Sequence, residues 1–279
     1  MECYLKNITI HYETFGQGRP ILMLHGAPLD HGALLGCMEP IFANRDGWLR
    51  IYPDLPGMGR TKGVDWITTE DQMLEVALEF MDRVVPEQSF TLVGHSYGGY
   101  LARGIIYHRR RAVNGLLLLV PWITYDPKQR SVPEKETLIE DPALLAQLDP
   151  DEAQGFAFAA VVQNQRNWDR YRSEFLPGIL AHDSLFFARF SENSAFSFDV
   201  DAPSEPFVKP TLFLVGRQDH VSGYREQWDV LESYPRATFV VLDRAGHRLQ
   251  IEQPELFNAL VDDWLDRVEE HMVNEPTAG

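Results

Sequence analysis

The sequence predicts an α/β fold in which a mostly parallel central sheet is covered by helices on both faces. Short apolar runs of strand length alternate along the chain with longer segments of helical periodicity. Apart from Arg50 and Thr91 the runs are apolar, as is typical of strands that are buried on both faces of a sheet. The chain has 279 residues, of which 44% are hydrophobic, and is therefore long enough to bury such a core.

The strands of the sheet are predicted from short apolar runs that are bounded by Gly, Pro, Asn or Asp. These runs are residues 21–24, 49–52, 90–93, 116–120, 212–215 and 239–242. Segment 4–15 precedes them and is rich in β-branched and aromatic residues. That composition favours an antiparallel hairpin that leads into the sheet.

Two helices are predicted from apolar stripes at helical spacing. The first covers residues 70–85, and Thr68 and Thr69 precede it as candidate N-caps. The second has Pro254 in its first turn, where a backbone N–H is not needed. The stripes consist of Met73, Ala77, Phe80, Met81 and Val84 in the first helix and of Phe257, Leu260, Val261, Trp264 and Val268 in the second.

The alternation of strands and helices is interrupted between the runs at 116–120 and 212–215. The intervening region is rich in aromatic residues, and its pattern favours helices and loops. We therefore predict one core formed by residues 1–120 and 206–279. Residues 121–205 are predicted to form a helical cap inserted into that core.

The composition argues against several kinds of partner. The formal net charge is −16, so the chain repels nucleic acid, and the basic run at 109–111 is better explained as a helix end. No apolar stretch approaches the ~18 residues of a membrane span. Cys3 and Cys37 suggest neither a disulfide framework nor a zinc site. Because the N-terminus also lacks a signal-peptide pattern, we expect a cytoplasmic protein.

The sharpest functional signal is the sequence Gly-His-Ser-Tyr-Gly at 94–98, which matches G-x-S-x-G. It lies between a predicted strand and a predicted helical stretch, and this is the context in which the motif forms a sharp turn. Side chains at positions 94 and 98 would clash in such a turn, so glycine is required on both sides of Ser96. The helix N-terminus then favours negative charge near the serine.

This motif and the strand pattern around it resemble the α/β-hydrolase family, and the resemblance extends over nearly the whole chain. It implies an α/β-hydrolase fold and a catalytic triad in the chain order serine, acid, histidine. Ser96 matches the nucleophile of the family. Asp219 matches the acid because it closes a G-x-x-D turn directly after a predicted strand. His247 matches the base because it follows the last predicted strand and precedes the C-terminal helix.

The chemistry joins these three residues. A serine hydroxyl is a poor nucleophile until a base accepts its proton, and an acid fixes the tautomer of that base. Three rival residues stay open. His220 adjoins the acid, Asp126 follows the preceding strand, where some members of the family carry the acid, and Asp243 lies four residues before His247.

The resemblance also implies two backbone N–H donors for an oxyanion. One belongs to Tyr97, the residue after the serine. The other is expected after the third strand, where His25-Gly26-Ala27-Pro28 matches the HG motif of the family. It is assigned to Ala27, since Pro28 has no N–H, and His25 is expected to brace the loop. Segment 54–61 resembles the D-x-P-G-x-G-x-S turn of the family, with threonine in place of the usual serine.

No metal ion or cofactor is predicted. The sequence has no H-E-x-x-H, no histidine pair at ligand spacing and no dinucleotide-binding fingerprint. Trp122 and Tyr125 are predicted to line a substrate pocket. They begin just past the carboxyl end of a predicted strand, which is where α/β sheets bind ligands.

The predicted function is hydrolysis of a small carboxylic ester or related acyl compound through an acyl-enzyme intermediate on Ser96. The expected partner is a small-molecule acyl substrate, with no nucleic acid and no membrane. Haloalkane dehalogenases and epoxide hydrolases of the family use aspartate at this turn, so Ser96 argues against both. Carbon–carbon bond hydrolase, lactonase, cofactor-free haloperoxidase and slow-turnover ligand receptor stay open as alternatives.

Overall fold

The structure is a computed structural model that describes residues 1–190, 195–201 and 205–274 of the chain. The described residues contain eight strands. They are β1 (Glu2–Tyr4), β2 (Thr9–Phe15), β3 (Arg19–Leu24), β4 (Trp48–Pro53), β5 (Phe90–His95), β6 (Val113–Leu119), β7 (Thr211–Gly216) and β8 (Ala237–Leu242). All eight belong to one sheet with the order β1-β2-β4-β3-β5-β6-β7-β8.

The sheet is mostly parallel, as predicted. β1 pairs antiparallel with β2, and β2 pairs antiparallel with β4. Every pair from β4 through β3 to β8 is parallel. The predicted apolar runs each overlap one of the strands β3 to β8, and the predicted N-terminal hairpin corresponds to β1 and β2.

The connections between the strands are mainly helical. The helices are α1 (Gly32–Phe42), α2 (Glu70–Val84), α3 (Tyr97–Arg109), α4 (Pro142–Leu145), α5 (Pro150–Ala159), α6 (Gln165–Glu174), α7 (Leu176–Ala181), α8 (Ser184–Phe190), α9 (Arg225–Asp229), α10 (Leu249–Glu252) and α11 (Pro254–Asn274). Short 3-10 helices occur at Arg110–Ala112, Pro127–Gln129 and Leu231–Ser233.

Two apolar layers cover the sheet, one on each face. Neighbouring residues of a strand point to opposite faces, so each strand contributes to both layers. Leu22 and Leu92 belong to the layer that includes buried residues of α2 and α3. Ile21 and Val93 belong to the layer that includes buried residues of α1 and α11. The helices therefore lie on both faces, which confirms the predicted architecture.

The predicted helix starts at α2 and α11 are also confirmed. The Thr69 hydroxyl caps α2 by accepting a hydrogen bond from the backbone N–H of Gln72 at 3.2 Å. Pro254 is the first residue of α11. Because α11 carries an apolar stripe, it packs its buried side of Phe257, Val261 and Trp264 against the sheet.

The long segment between β6 and β7 contains α4 to α8 and contributes its own apolar cluster. Phe156, Trp168 and Tyr171 of this segment pack with Leu29 and Ala33, which lie after β3. The segment is thus fixed to the carboxyl end of the sheet. Its division from the rest of the chain as a cap stays a prediction.

The order of the strands reverses around β3. β4 lies on one side of β3 and β5 on the other, so the connections after β3 and β5 leave the sheet in opposite directions. In open α/β sheets such a reversal opens a crevice at the carboxyl ends of the strands. Elsewhere in the described residues, Cys3 and Cys37 are free and buried, and no helix has the length and apolar character needed to cross a membrane.

Candidate active site

Ser96 lies in a strained turn between β5 and α3. Its φ is +53° and its ψ is −116°, a backbone conformation that side chains disfavour. The turn leaves no room for side chains on either side of the serine. A Cβ atom on Gly98 would lie 2.1 Å from the carbonyl oxygen of Leu24, and one on Gly94 would lie 2.6 Å from the carbonyl oxygen of Gly98. The glycines of the motif are therefore required by close backbone packing.

A hydrogen-bonded chain connects Ser96, His247 and Asp219. The distance between Ser96 Oγ and His247 Nε2 is 2.9 Å, and the distance between His247 Nδ1 and Asp219 Oδ2 is 3.0 Å. Ser96 and Asp219 are almost completely buried, at 2% and 0% exposure. The structure thus brings together three residues that are far apart in the sequence.

The Asp219 carboxylate is held by its own loop. Its Oδ1 atom accepts hydrogen bonds from the backbone N–H groups of Val221 at 2.9 Å and Ser222 at 3.0 Å. The other oxygen is thereby left for His247. The turn before it packs closely against the histidine loop, since a Cβ on Gly216 would lie 2.4 Å from the carbonyl oxygen of Ala245. These hydrogen bonds fix the orientation of the carboxylate toward His247.

The rival residues occupy other positions. Asp126 caps a 3-10 helix by accepting a hydrogen bond from the backbone N–H of Lys128 at 2.9 Å. Asp243 accepts a hydrogen bond from the Gln218 side chain at 2.8 Å. The His220 ring lies 5.1 Å from the ring of an aromatic residue of α5, and burial lowers its pKa. Within the described residues, none of the three is hydrogen-bonded to the Ser96–His247 pair.

Two backbone N–H groups beside Ser96 have no acceptor among the described residues. They belong to Tyr97, which begins α3, and to Ala27, in the loop after β3. This loop touches the serine, because a Cβ on Gly26 would lie 2.9 Å from Ser96 Cβ. His25 braces the loop as expected. Its Nδ1–H donates to the carbonyl oxygen of Gly26 at 2.8 Å and its Nε2 accepts from the N–H of Leu55 at 3.0 Å.

The segment that resembles D-x-P-G-x-G-x-S forms the expected turn scaffold. Asp54 is fully buried and accepts hydrogen bonds from the backbone N–H groups of His31 and Arg60, each at 2.9 Å. Burial favours the neutral carboxyl, but the hydrogen bonds from the His31 side chain and from the backbone N–H of Arg60 oppose it and hold the pKa of Asp54 at about 2. Asp54 thus joins the loop after β4 to the loop after β3.

Trp122 contacts the turn that carries Ser96, and Tyr125 lies near Trp122. The backbone N–H of Trp122 donates to the Ser96 carbonyl oxygen at 3.1 Å, and its ring lies 5.5 Å from the ring of Tyr97. The Tyr125 ring lies 6.5 Å from that of Trp122. The guanidinium of Arg130 covers Trp122 at 4.0 Å from the ring centroid. Trp122 thus connects the segment after β6 with the turn, and Tyr125 and Arg130 pack near its ring.

Three charged residues near this site escape prediction from the sequence. Glu70 begins α2 and its side chain accepts a hydrogen bond from the Tyr97 hydroxyl at 2.7 Å. Arg248 and Glu252 follow His247 and are buried. Neither Arg248 nor Glu252 is marked by a local pattern in the sequence, because their burial depends on contacts with distant segments. Glu70 is not marked either, because an acidic residue in a first helical turn is ordinary.

The described residues contain no group of three or more histidine, cysteine or carboxylate side chains that could hold a metal ion. The residues around Ser96 instead provide a hydroxyl, an imidazole, a carboxylate and two free backbone donors. Such an arrangement can activate a hydroxyl and stabilise an oxyanion.

The fold and the turn that carries Ser96 define a hydrolase of the α/β class. The chain belongs to the alpha/beta hydrolase family, since the model of that family matches residues 21–260. A solved structure of an alpha/beta superfamily hydrolase from Oenococcus oeni PSU-1 is 31% identical to it. The two superpose with a TM-score of 0.87 over 96% of this chain and 99% of the other.

Two curated relatives indicate the range of substrates among similar proteins. A pimeloyl-[acyl-carrier protein] methyl ester esterase of Legionella pneumophila (strain Paris) is 22% identical over 92% of this chain and 100% of its own length. A 2-hydroxymuconate semialdehyde hydrolase of Pseudomonas putida is 24% identical over 90% of this chain and 88% of its own length.

Proposed function

We propose that the protein is a serine hydrolase that cleaves a small carboxylic ester or a related acyl compound through an acyl-enzyme intermediate. The observation that carries this proposal is the continuous hydrogen-bonded chain from Ser96 Oγ through His247 to the buried Asp219 carboxylate. Asp219 accepts the Nδ1–H of His247, so that the Nε2 atom is left as the acceptor for the serine proton.

The reaction follows from this geometry. Ser96 Oγ attacks the acyl carbon while His247 Nε2 takes its proton, and the N–H groups of Ala27 and Tyr97 bind the oxyanion that develops. As the tetrahedral intermediate collapses, the alcohol leaves with the proton from His247 and an ester of Ser96 remains. Water then attacks this ester while His247 accepts a proton, and the acid is released with Ser96 restored.

The substrate would bind between the turn and the segment after β6. We propose that residues 121–205 form a cap over a core of residues 1–120 and 206–279, and that Trp122 and Tyr125 line the pocket. The contact of Trp122 with Ser96 and the proximity of Tyr125 to the Trp122 ring support this assignment. We further propose a cytoplasmic location, to which the free and buried cysteines are suited.

The alternative chemistries use the same residues. The likeness to a 2-hydroxymuconate semialdehyde hydrolase supports carbon–carbon bond hydrolysis as the second candidate. A panel of nitrophenyl esters of different chain length, lactones and vinylogous diketones distinguishes ester, lactone and carbon–carbon bond hydrolysis. Release of nitrophenol over many turnovers per protein would exclude a slow-turnover receptor, which would stop after about one equivalent.

The role of Ser96 is tested by substitution and by labelling. We expect Ser96→Ala to abolish steady nitrophenol release while the melting temperature stays near that of the parent protein. A serine-directed organophosphate should label Ser96 alone. Ser173→Ala is a matched control, because Ser173 is an exposed residue of α6. Activity that survives in Ser96→Ala, with the label on another residue, would overturn the proposal.

A further inference from the structure

Glu70 is a buried carboxylate that the proposed reaction does not use. It is 0% exposed, and its Oε2 atom accepts a hydrogen bond from the Tyr97 hydroxyl at 2.7 Å. Tyr125 interacts with the same carboxylate. The second oxygen, Oε1, is buried without a hydrogen-bond partner in the described part of the chain. Glu70 therefore presents an unfilled acceptor inside the protein.

An unfilled buried acceptor is unusual because it costs free energy. Buried polar groups in folded proteins are nearly always hydrogen-bonded, and leaving one unpaired is destabilising, more so when it is charged. No lysine, arginine or histidine pairs with Glu70 in the described residues. Burial therefore raises the pKa of Glu70 to about 7, although hydrogen bonds from Tyr97 and Tyr125 oppose the rise. A bound donor would relieve this cost.

The carboxylate is connected through Tyr97 to the turn that carries Ser96. Tyr97 follows Ser96 directly, so one tyrosine side chain and one hydrogen bond span the distance from the serine to Glu70. The Tyr97 ring also packs edge-on against Trp122. The Tyr125 ring lies 5.4 Å from that of Tyr100. The two tyrosines that interact with Glu70 therefore belong to one group of packed aromatic rings that includes Trp122 and Tyr100.

We propose that Glu70 is the polar recognition group of the substrate pocket and binds a hydrogen-bond-donating head group, a hydroxyl or an ammonium, at the end of the substrate remote from the scissile bond. A carboxylate forms strong charge-assisted hydrogen bonds with both groups. Aromatic faces add favourable contacts with an ammonium. A substrate without a donor leaves the buried oxygen unpaired and is discriminated against for that reason. This inference rests on the proposed hydrolase function.

Matched esters test the proposal. Nitrophenyl esters of equal chain length are prepared with a methyl, a hydroxyl or an ammonium group at the end of the acyl chain. We expect wild-type kcat/KM to be at least about tenfold higher for one donor-ended ester than for the methyl-ended ester, which corresponds to about 1.4 kcal/mol. The hydroxyl and ammonium arms show which donor is preferred. The difference should lie mainly in KM.

The variant Glu70→Gln should reduce this preference to within about threefold, which is below 1 kcal/mol. The single amide oxygen of glutamine accepts from Tyr97, and its NH2 group then meets the donor of the substrate. Glu75→Gln is a matched control on the same helix, since Glu75 is exposed. Equal preference in wild type and Glu70→Gln, with both proteins active, would overturn the inference and leave the hydrolase proposal intact.

A binding measurement separates failure of this inference from failure of the proposed function. Calorimetry measures binding of n-hexylammonium and n-hexanol to wild type and to Glu70→Gln without any hydrolysis. Binding that depends on Glu70, in a protein that cleaves none of the esters, would support the head-group site and contradict the hydrolase proposal. If Glu70→Gln does not fold, the absence of binding of either probe to wild type overturns the inference.

Discussion

The carboxylate of Glu252 accepts a hydrogen bond of 2.7 Å from the backbone N–H of Gly246, the residue before His247. Its other oxygen accepts hydrogen bonds from the backbone N–H groups of Val161 at 2.6 Å and Val162 at 3.3 Å. One buried side chain therefore joins the loop of the proposed base to the segment between β6 and β7. The contact is close, because a Cβ on Gly246 would lie 2.8 Å from a Val161 methyl carbon.

Arg248 makes a second connection on the other side of His247. Its guanidinium donates to the carbonyl oxygens of Phe156 at 2.8 Å and Gly155 at 2.9 Å, and it lies 4.3 Å from the centroid of the Tyr171 ring. Burial lowers the pKa of Arg248 to about 10. These carbonyl groups lie toward the C-terminal end of α5, where a cation is favoured by the helix dipole. The position of His247 thus depends on contacts with the proposed cap.

We expect Glu252→Gln to reduce both stability and catalysis. Glutamine has one acceptor oxygen, so its NH2 group must face either Gly246 or the valines and leave a buried N–H unpaired. Such a loss costs about 1–3 kcal/mol of unfolding free energy. If the loop of His247 shifts as a result, kcat/KM should fall by about tenfold or more. Urea unfolding and ester hydrolysis measure the two effects.

Glu255→Gln provides the control for this prediction. Glu255 lies on the exposed surface of α11 and forms an ion pair with Arg166 at 3.2 Å. Exposed ion pairs contribute about 0–1 kcal/mol, so this variant should resemble the parent. A Glu252→Gln variant that is destabilised but fully active would show that Glu252 supports the fold without positioning His247.

Stability should depend on pH through Glu70. Its pKa is about 7 in the folded protein, whereas the ordinary value is 4.5. Between pH 4.5 and pH 7 the folded state therefore binds more protons than the unfolded state. The unfolding free energy therefore falls as the pH rises through this range. Tyr97, Tyr125 and Asp71 are the titratable groups that influence Glu70. Asp71 raises the pKa further, whereas the two tyrosines lower it.

The measurement compares wild type with Glu70→Gln, in which this titration is absent. Urea unfolding is measured at about pH 5 and about pH 8. Between these pH values the unfolding free energy of wild type should fall by on the order of 2–3 kcal/mol relative to that of the variant. Glu75→Gln should follow the wild-type pH dependence. If the difference in unfolding free energy between wild type and Glu70→Gln is the same at both pH values, the pKa of Glu70 is not raised.

Catalysis should not require a metal ion. Ser96, His247 and Asp219 already provide nucleophile, base and acid in the proposed reaction, and backbone N–H groups provide the electrophilic assistance. Prolonged dialysis against EDTA should therefore leave the rate of ester hydrolysis unchanged. A loss of activity that added zinc or manganese restores would contradict this assignment of roles.

The sequence predicts the positions that local chemistry determines. The turn around Ser96 is predictable because its glycines are required within the turn itself. β5 and α3 follow from their own sequence patterns. Asp219 and His247 follow from the resemblance to the α/β-hydrolase family, whose acid and base lie in loops that follow strands. By contrast, β6 begins at Val113 and not at residue 116. The sequence does not predict this earlier start, because Asn114 and Gly115 interrupt the apolar pattern.

Long-range contacts explain what the sequence does not predict. Gly115 is needed where α11 packs on β6, since a Cβ there would lie 2.4 Å from a methyl carbon of Val268. Glu70 is separated from Tyr97 by 27 positions, and Glu252 from Val161 by 91. No local pattern marks such partners, because a buried carboxylate is identified by the groups around it in space.

The identity of the acid gives the sharpest test of the site. An asparagine at position 219 would turn an NH2 group toward His247 Nδ1, so the imidazole proton would move to Nε2 and block acceptance of the Ser96 proton. The loss of charge would also leave the imidazolium without support. In a serine protease this change costs about 10⁴ in kcat, and we expect a fall of at least about 10² for Asp219→Asn.

Asp126→Asn and Asp243→Asn should stay within about tenfold of the parent, because Asp126 caps a 3-10 helix and Asp243 binds Gln218. The three variants are compared at similar melting temperatures. If kcat is strongly reduced in Asp126→Asn or Asp243→Asn and nearly normal in Asp219→Asn, the acid is the residue whose substitution reduces kcat.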